Sequence, residues 1–201
     1  MTEQPSEDLR ELHRRVLEIS TDIVAQVAPD QLHLSTPCSE WDLGRLLAHM
    51  IGQNYGFAAA ADGETSDRSV WADRPVASDP GAEYAASAER VVSAFAAEGL
   101  LDRAFWLPEI RGGVTLPAPT GISFHFVDYV VHSWDVARSI DVPVSFDDEV
   151  LAAVLPIAEA VPDGVNRTVP GASFQPALET SSAAVLDRVL ALLGRSPDWV
   201  R

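Results

Sequence analysis

Residues 121–137, Gly-Ile-Ser-Phe-His-Phe-Val-Asp-Tyr-Val-Val-His-Ser-Trp-Asp-Val-Ala, set two histidines and two acids into a run that is otherwise largely apolar. As a helix, this run is greasy nearly all round, which marks a central element packed on several sides. At about 100° of rotation per residue, His125, Asp128, His132 and Asp135 fall within an arc of roughly 80° on one face. Burying such groups unpaired costs several kcal/mol each. They must therefore bond one another, meet charges from another helix, or hold a cation.

Asp128 and His132 are four apart, so their side chains leave the same helix face one turn from each other. One turn rises about 5.4 Å, a span that a carboxylate and an imidazole can close onto one ion. His49, on the flank of a separate helix beside Asp42, Arg45 and Gln53, is the candidate third ligand from across the fold. Three protein ligands leave one position open, as reactive metal sites do. His125 or Asp135 would then stand behind the ligands as catalytic groups, orienting an imidazole or carrying a proton. A plainer reading remains open beside this one. An acid and a histidine four apart often form only a charge-assisted hydrogen bond, and His49 can face water as readily as a groove.

The rest of the chain must position these groups. With 201 residues, 47% hydrophobic and 22% charged, it can bury a sizeable core as one domain spanning residues 1–201. Acidic residues outnumber basic ones 30 to 14, a net charge of -16. No basic patch is then available for nucleic acid or for an anionic membrane surface. The single cysteine, Cys38, excludes an internal disulfide and fits a reducing cytoplasm. The acidic N-terminus has no apolar core, so no signal peptide is expected, and no apolar run approaches the length of a bilayer span.

Leu9, Leu12, Val16, Ile19, Ile23 and Val27 recur at spacings of three and four and predict a first helix reaching Ala28, capped by Ser6. Ser39 with Asp42 reads as a capping box for a second helix, whose inner stripe runs from Leu43 to Phe57. A polar connection over residues 63–80 carries Val70-Trp71, and a third helix follows over residues 83–97. Two short β-prone runs around Gly112-Gly113 predict a small hairpin within residues 103–118. The histidine-bearing helix begins near Thr120 and stops before Pro143; a fifth helix over residues 147–161 is kinked or split at Pro156. Residues 162–176 form an extended surface loop and residues 181–193 a last helix, giving an all-α bundle with a small hairpin.

Two motifs carry a resemblance. Thr36-Pro37-Cys38-Ser39-Glu40-Trp41-Asp42 with Leu46-Leu47-Ala48-His49, and the run from Asp128 to Ala137, resemble the mycothiol-dependent maleylpyruvate isomerase metal-binding domain. That family lies in the DinB-like four-helix-bundle superfamily of actinobacteria. Leu100-Leu101-Asp102-Arg103, Leu107-Pro108 and residues 191–199 resemble an uncharacterised actinobacterial subgroup of it, so the resemblance covers nearly the whole chain. It implies a DinB-like four-helix bundle holding a divalent metal, zinc foremost with nickel or iron as alternatives, on His49, Asp128 and His132. It also implies mycothiol as co-substrate, with the metal keeping its sulfur as thiolate for addition to a small electrophile, in an isomerisation or a thiol transfer. Two departures are expected. The isomerase carries a glutamate at the position of Asp128, and it has a further C-terminal domain where this chain has only one more helix, so specificity for maleylpyruvate does not carry over.

The competing class is a non-catalytic bundle, stabilised by a metal or by its polar stripe, that binds a small molecule or a partner. No nucleophile–base pair, phosphate-cradling loop or dinucleotide motif adds to the enzyme reading. Bundles of this kind often pair, and a homodimer is expected without a named interface. Cys38, at a helix entry, reads as a packed residue rather than an activated thiol. Trp41, Trp106, Trp134 and Phe174 either line a cavity or, as aromatics at such spacings more often do, form simple core, and Asp135 with Arg138 reads as a helix-surface pair.

Overall fold

The computed structural model describes residues 8–76, 78–110, 112–169 and 172–201. Among them are six α-helices: α1 (Leu9–Val24), α2 (Leu43–Asp62), α3 (Pro80–Phe95), α4 (Ala118–Ser139), α5 (Asp148–Ala160) and α6 (Val185–Leu192). The strands β1 (Ala104–Leu107) and β2 (Val114–Pro117) pair antiparallel between α3 and α4, with Ala104 opposite Pro117 and Leu107 opposite Val114. Each of the four long helices packs on two others: α1 on α3 and α4, and α2 on the same pair. The fold is thus all-α with the expected hairpin, and helices α5 and α6 pack on each other against one flank.

Local chemistry sets the element ends. Ser6 lies outside the described residues; Asp8 caps α1 by accepting from the Arg10 amide at 3.1 Å. This helix stops at Val24 rather than Ala28, because Ala28 must be extended before Pro29. Asp42 alone caps α2, accepting from the Arg45 amide at 2.8 Å, so Ser39 is not the cap. Prolines serve as starters: Pro80 opens α3 three residues earlier than its periodicity suggests, and Pro119 sits in the first turn of α4. Helix α5 runs unbroken through Pro156 and is not split. Helix α6 is shorter than expected, beginning at Val185. Among the described residues of the surface loop, Arg167 turns inward. The Arg167 guanidinium is buried and donates to the carbonyls of Val161, Pro162, Gln175 and Leu192, fastening the loop to the end of α6.

The apolar stripes meet in one contiguous core. Helix α4 is buried nearly all round, as its composition requires, and its Tyr129 hydroxyl donates to the Met50 carbonyl of α2. Two glycines on α2 receive the segment after it. A Cβ on Gly56 would stand 2.4 Å from the Trp71 ring, and one on Gly52 would stand 2.6 Å from the Ala72 carbonyl oxygen. Trp71 is therefore buried rather than displayed on the surface connection, and the Arg74 amide donates to the Ala48 carbonyl at 2.9 Å. No helix among the described residues is long and apolar enough to cross a membrane.

Candidate metal centre

Helix α2 brings His49, and α4 brings Asp128 and His132, to one point between them. One ligand atom from each of the three lies within 4.8 Å of the others. His132 Nε2 is 3.5 Å from Asp128 Oδ1. Two ligands at about 2.0–2.1 Å from a tetrahedral ion stand about 3.3–3.5 Å apart, which is the separation of this pair. Two imidazoles and one carboxylate are a donor set that reactive zinc sites use.

Each imidazole is oriented from behind, as metal-bound histidines usually are. His132 Nδ1 is 2.9 Å from Asp135 Oδ2, which turns Nε2 toward Asp128. His49 Nδ1 stands 3.6 Å from Asp73 Oδ1, leaving Nε2 for the cluster. Asp73 is delivered by the Trp71–Ala72 segment seated in the glycine notches of α2. Burial works against the charged form of His49, but the nearby carboxylate of Asp73 and the charges of Asp128 and Glu109 outweigh it and raise its pKa. The Trp41 ring lies against His49 with centroids 4.6 Å apart, and 6.3 Å from the His132 ring. This aromatic wall is fixed by Thr36, whose hydroxyl is 2.9 Å from the carbonyls of both Cys38 and Trp41.

The periphery holds groups that spacing alone does not reveal. Glu109, in the turn of the hairpin, accepts from Gln53 Nε2 at 2.9 Å and lies within electrostatic reach of His49 and Asp128. Burial raises its pKa, with the His49 charge and the Gln53 bond opposing. Arg195 stands behind Asp135, with Nε 3.1 Å from Oδ1 and Nη2 3.1 Å from Oδ2. The expected surface pair of Asp135 with Arg138 does not form. Asp135 is fully buried and bonded to Arg195, while Arg138 donates to the Trp199 carbonyl.

Of the five residues singled out from the sequence, four meet at this centre and His125 does not. Its ring is buried two turns away and faces His13 of α1, with Nδ1 2.8 Å from His13 Nε2. Cys38 is half-buried near the cluster. Burial, foremost, pushes its thiol up to about 11 while Arg195 pulls the other way, so it is not an activated thiolate. Trp134 is core as expected, whereas Trp41 borders the site.

Comparison with known proteins gives a consistent picture. The family described as "Mycothiol maleylpyruvate isomerase N-terminal domain" matches residues 13–137, which take in all three ligand positions. Two uncharacterised proteins, from Mycobacterium tuberculosis strains H37Rv and CDC 1551, are each 29% identical over 191 residues, covering 92% of this chain and 96% of theirs. Crystal structures of the mycothiol-dependent maleylpyruvate isomerase and of a histidine-to-alanine mutant superpose with TM-scores of 0.66 and 0.67 at 15% identity. At that identity the likeness is one of fold. The overlay takes in 98% of this chain and 94% of the isomerase chain, so the isomerase does not carry a whole further domain lacking here.

Proposed function

Because the chain belongs to the mycothiol maleylpyruvate isomerase N-terminal domain family, we propose that it is a divalent-metal, mycothiol-dependent enzyme. It acts on a small electrophile as an isomerase or thiol transferase. The observation that carries this reading is the convergence of His49, Asp128 and His132, from two helices, within 4.8 Å. These three residues hold the ion, zinc by donor set, with nickel or iron as alternatives. A divalent ion held there would lower the pKa of a bound thiol, so that its sulfur would be thiolate at neutral pH.

The chain's own groups do the rest. Asp135 accepts the Nδ1 proton of His132 and fixes the tautomer that presents Nε2. Asp73, 3.6 Å from His49 Nδ1, sets a negative charge behind that ring. Trp41 walls one side of the pair of imidazoles and keeps water from that face. Glu109 Oε2 accepts from Gln53, and Glu109 is the carboxylate we assign to take the proton that a thiol gives up. Its carboxyl pKa is raised by burial, the direction that makes the carboxylate a better proton acceptor. His125, turned toward His13, is not assigned to proton transfer.

Metal analysis of protein purified without a histidine tag tests the first half of the proposal. One equivalent of zinc, lost in His49→Ala, is expected; no metal, with no effect of that substitution on uptake, rejects it. Consumption of a conjugated enone in the presence of mycothiol, abolished in His132→Ala, tests the second half. Stoichiometric metal without thiol-dependent turnover would favour the non-catalytic, metal-stabilised bundle instead.

A further inference from the structure

We infer that Arg195 is a positioning residue for the metal centre, acting on His132 through Asp135, so that the segment after α6 completes a site whose ligands lie far earlier in the chain. The inference rests on the metal reading above and adds to it a part that neither motif contains. Asp135 is enclosed completely, and its two oxygens meet three donors: His132 Nδ1 at 2.9 Å, Arg195 Nε at 3.1 Å and Arg195 Nη2 at 3.1 Å. A guanidinium is a rigid planar fork, and two of its N–H groups fix both the position and the plane of a carboxylate. With Arg195 in place, Oδ2 is held where the His132 ring must aim its other nitrogen at Asp128. Without Arg195, a buried carboxylate loses its counter-charge, and His132 loses the fixed acceptor that sets its ring angle.

The backbone is built to deliver this one side chain. Helix α6 ends with the Gly194 amide donating to the Ala191 carbonyl at 3.1 Å and the Arg195 amide donating to the Leu190 carbonyl at 2.8 Å. That paired closure requires a left-handed residue at position 194, and Gly194 has φ +77°. A Cβ there would also meet Gln175 atoms at 2.6 Å, so glycine is needed for space as well as for conformation. The chain beyond lies along α4, the helix that carries two of the ligands. Arg138 Nη2 donates to the Trp199 carbonyl at 2.6 Å, and Arg201 Nη1 to the Ser139 carbonyl at 2.8 Å. The Arg195 side chain is only 2% exposed, which leaves its guanidinium no face for a substrate. Its role is therefore to hold Asp135 rather than to bind a reactant.

The test measures zinc affinity by chelator competition, and the visible spectrum of the cobalt-substituted protein, for Arg195→Met, Arg195→Lys and Asp135→Asn. Arg167→Met serves as the control, since Arg167 is an equally buried arginine that holds loop carbonyls away from the centre. Arg195→Met is expected to weaken zinc binding about 10–100-fold and to shift the cobalt bands. Arg195→Lys should recover part of the loss, and Arg167→Met should lower thermal stability with affinity unchanged. In the Asp135→Asn background, Arg195→Met should have little further effect, because the path through Asp135 is already broken. Unchanged affinity and spectrum in Arg195→Met, or an equal loss in Arg167→Met, would overturn the inference. If wild-type protein takes up no metal at all, the metal reading itself is wrong and this inference falls with it, an outcome that is distinct because it precedes any substitution.

Discussion

His13 Nε2 and His125 Nδ1 face each other at 2.8 Å between α1 and α4, and neither ring's second nitrogen has a hydrogen-bond partner among the described residues. Phe57, Phe95 and Tyr129 surround the pair, with the Tyr129 ring stacked 4.0 Å from His125. Two neutral imidazoles can share one N–H···N bond here, but a charge would have no counter-ion. Burial lowers the His13 pKa from 6.5 to about 3, and lowers that of His125 in the same direction.

The pH dependence of stability follows from that burial. Below about 6.5 the unfolded chain protonates His13, whereas the folded protein resists until about 3. The stability associated with this group is thus complete above 6.5 and is lost progressively as pH falls through that window. At pH 5 the loss amounts to about 2 kcal/mol for His13 alone. Urea unfolding of wild type and His13→Gln at pH 7.5 and pH 5 checks this: the variant should lose about 2 kcal/mol less between the two conditions. Equal losses would mean that the buried pair does not set the slope.

Asp128 is expected to matter for its charge more than for its length. Asp128→Asn keeps the shape and removes the charge, and should weaken zinc at least about tenfold, or ~1.4 kcal/mol. Asp128→Glu adds one methylene between the α4 backbone and the cluster and should stay within about tenfold of wild type. Chelator competition on the two variants decides it; a glutamate variant that binds worse than the asparagine one contradicts the expectation.

Zinc should stabilise the folded chain by binding it in preference to the unfolded one. At a free concentration of about 100 times Kd the gain is about 2.7 kcal/mol, which raises Tm by roughly 5–10 °C for a domain of this size. Chelator should reverse the shift, and His49→Ala should show none. Thermal melts with and without zinc provide the measurement.

Gly56→Ala pits helix propensity against packing. In an open helix the change would gain about 1 kcal/mol. Here the new Cβ would stand 2.4 Å from the Trp71 ring, and overpacking of this kind costs about 1–3 kcal/mol. A lowered Tm is expected, and zinc affinity should fall with it because Trp71 seats the segment that delivers Asp73 to His49. A stabilised variant would show that the notch can widen at no cost.

The helix that carries the stripe was legible because its polar residues recur at a helical period in an apolar run, and two of them are one turn apart. The same periodicity misplaced His125. It shares the angular face of His132 but lies seven residues away, about 10 Å along the axis, where the facing helix is α1 rather than α2. Asp135 was legible as a polar group on the stripe, but its partner was not. Arg138 has the spacing for it, yet Arg195, 60 residues on, holds it because the turn at Gly194 swings that side chain back over α4. Asp73 and Glu109 sit in irregular segments with no period to read. Their places follow from contacts distant in sequence, the glycine notches of α2 and the Gln53 bond.

Accessibility around the centre is lopsided. His49 and Asp128 keep 18% and 22% of their side-chain surface open, whereas His132 keeps 3% and the groups behind it essentially nothing. On the proposed function, ion, thiol and electrophile reach the centre from the side of His49 and Asp128, because His132, Asp135 and Arg195 are packed shut among the described residues.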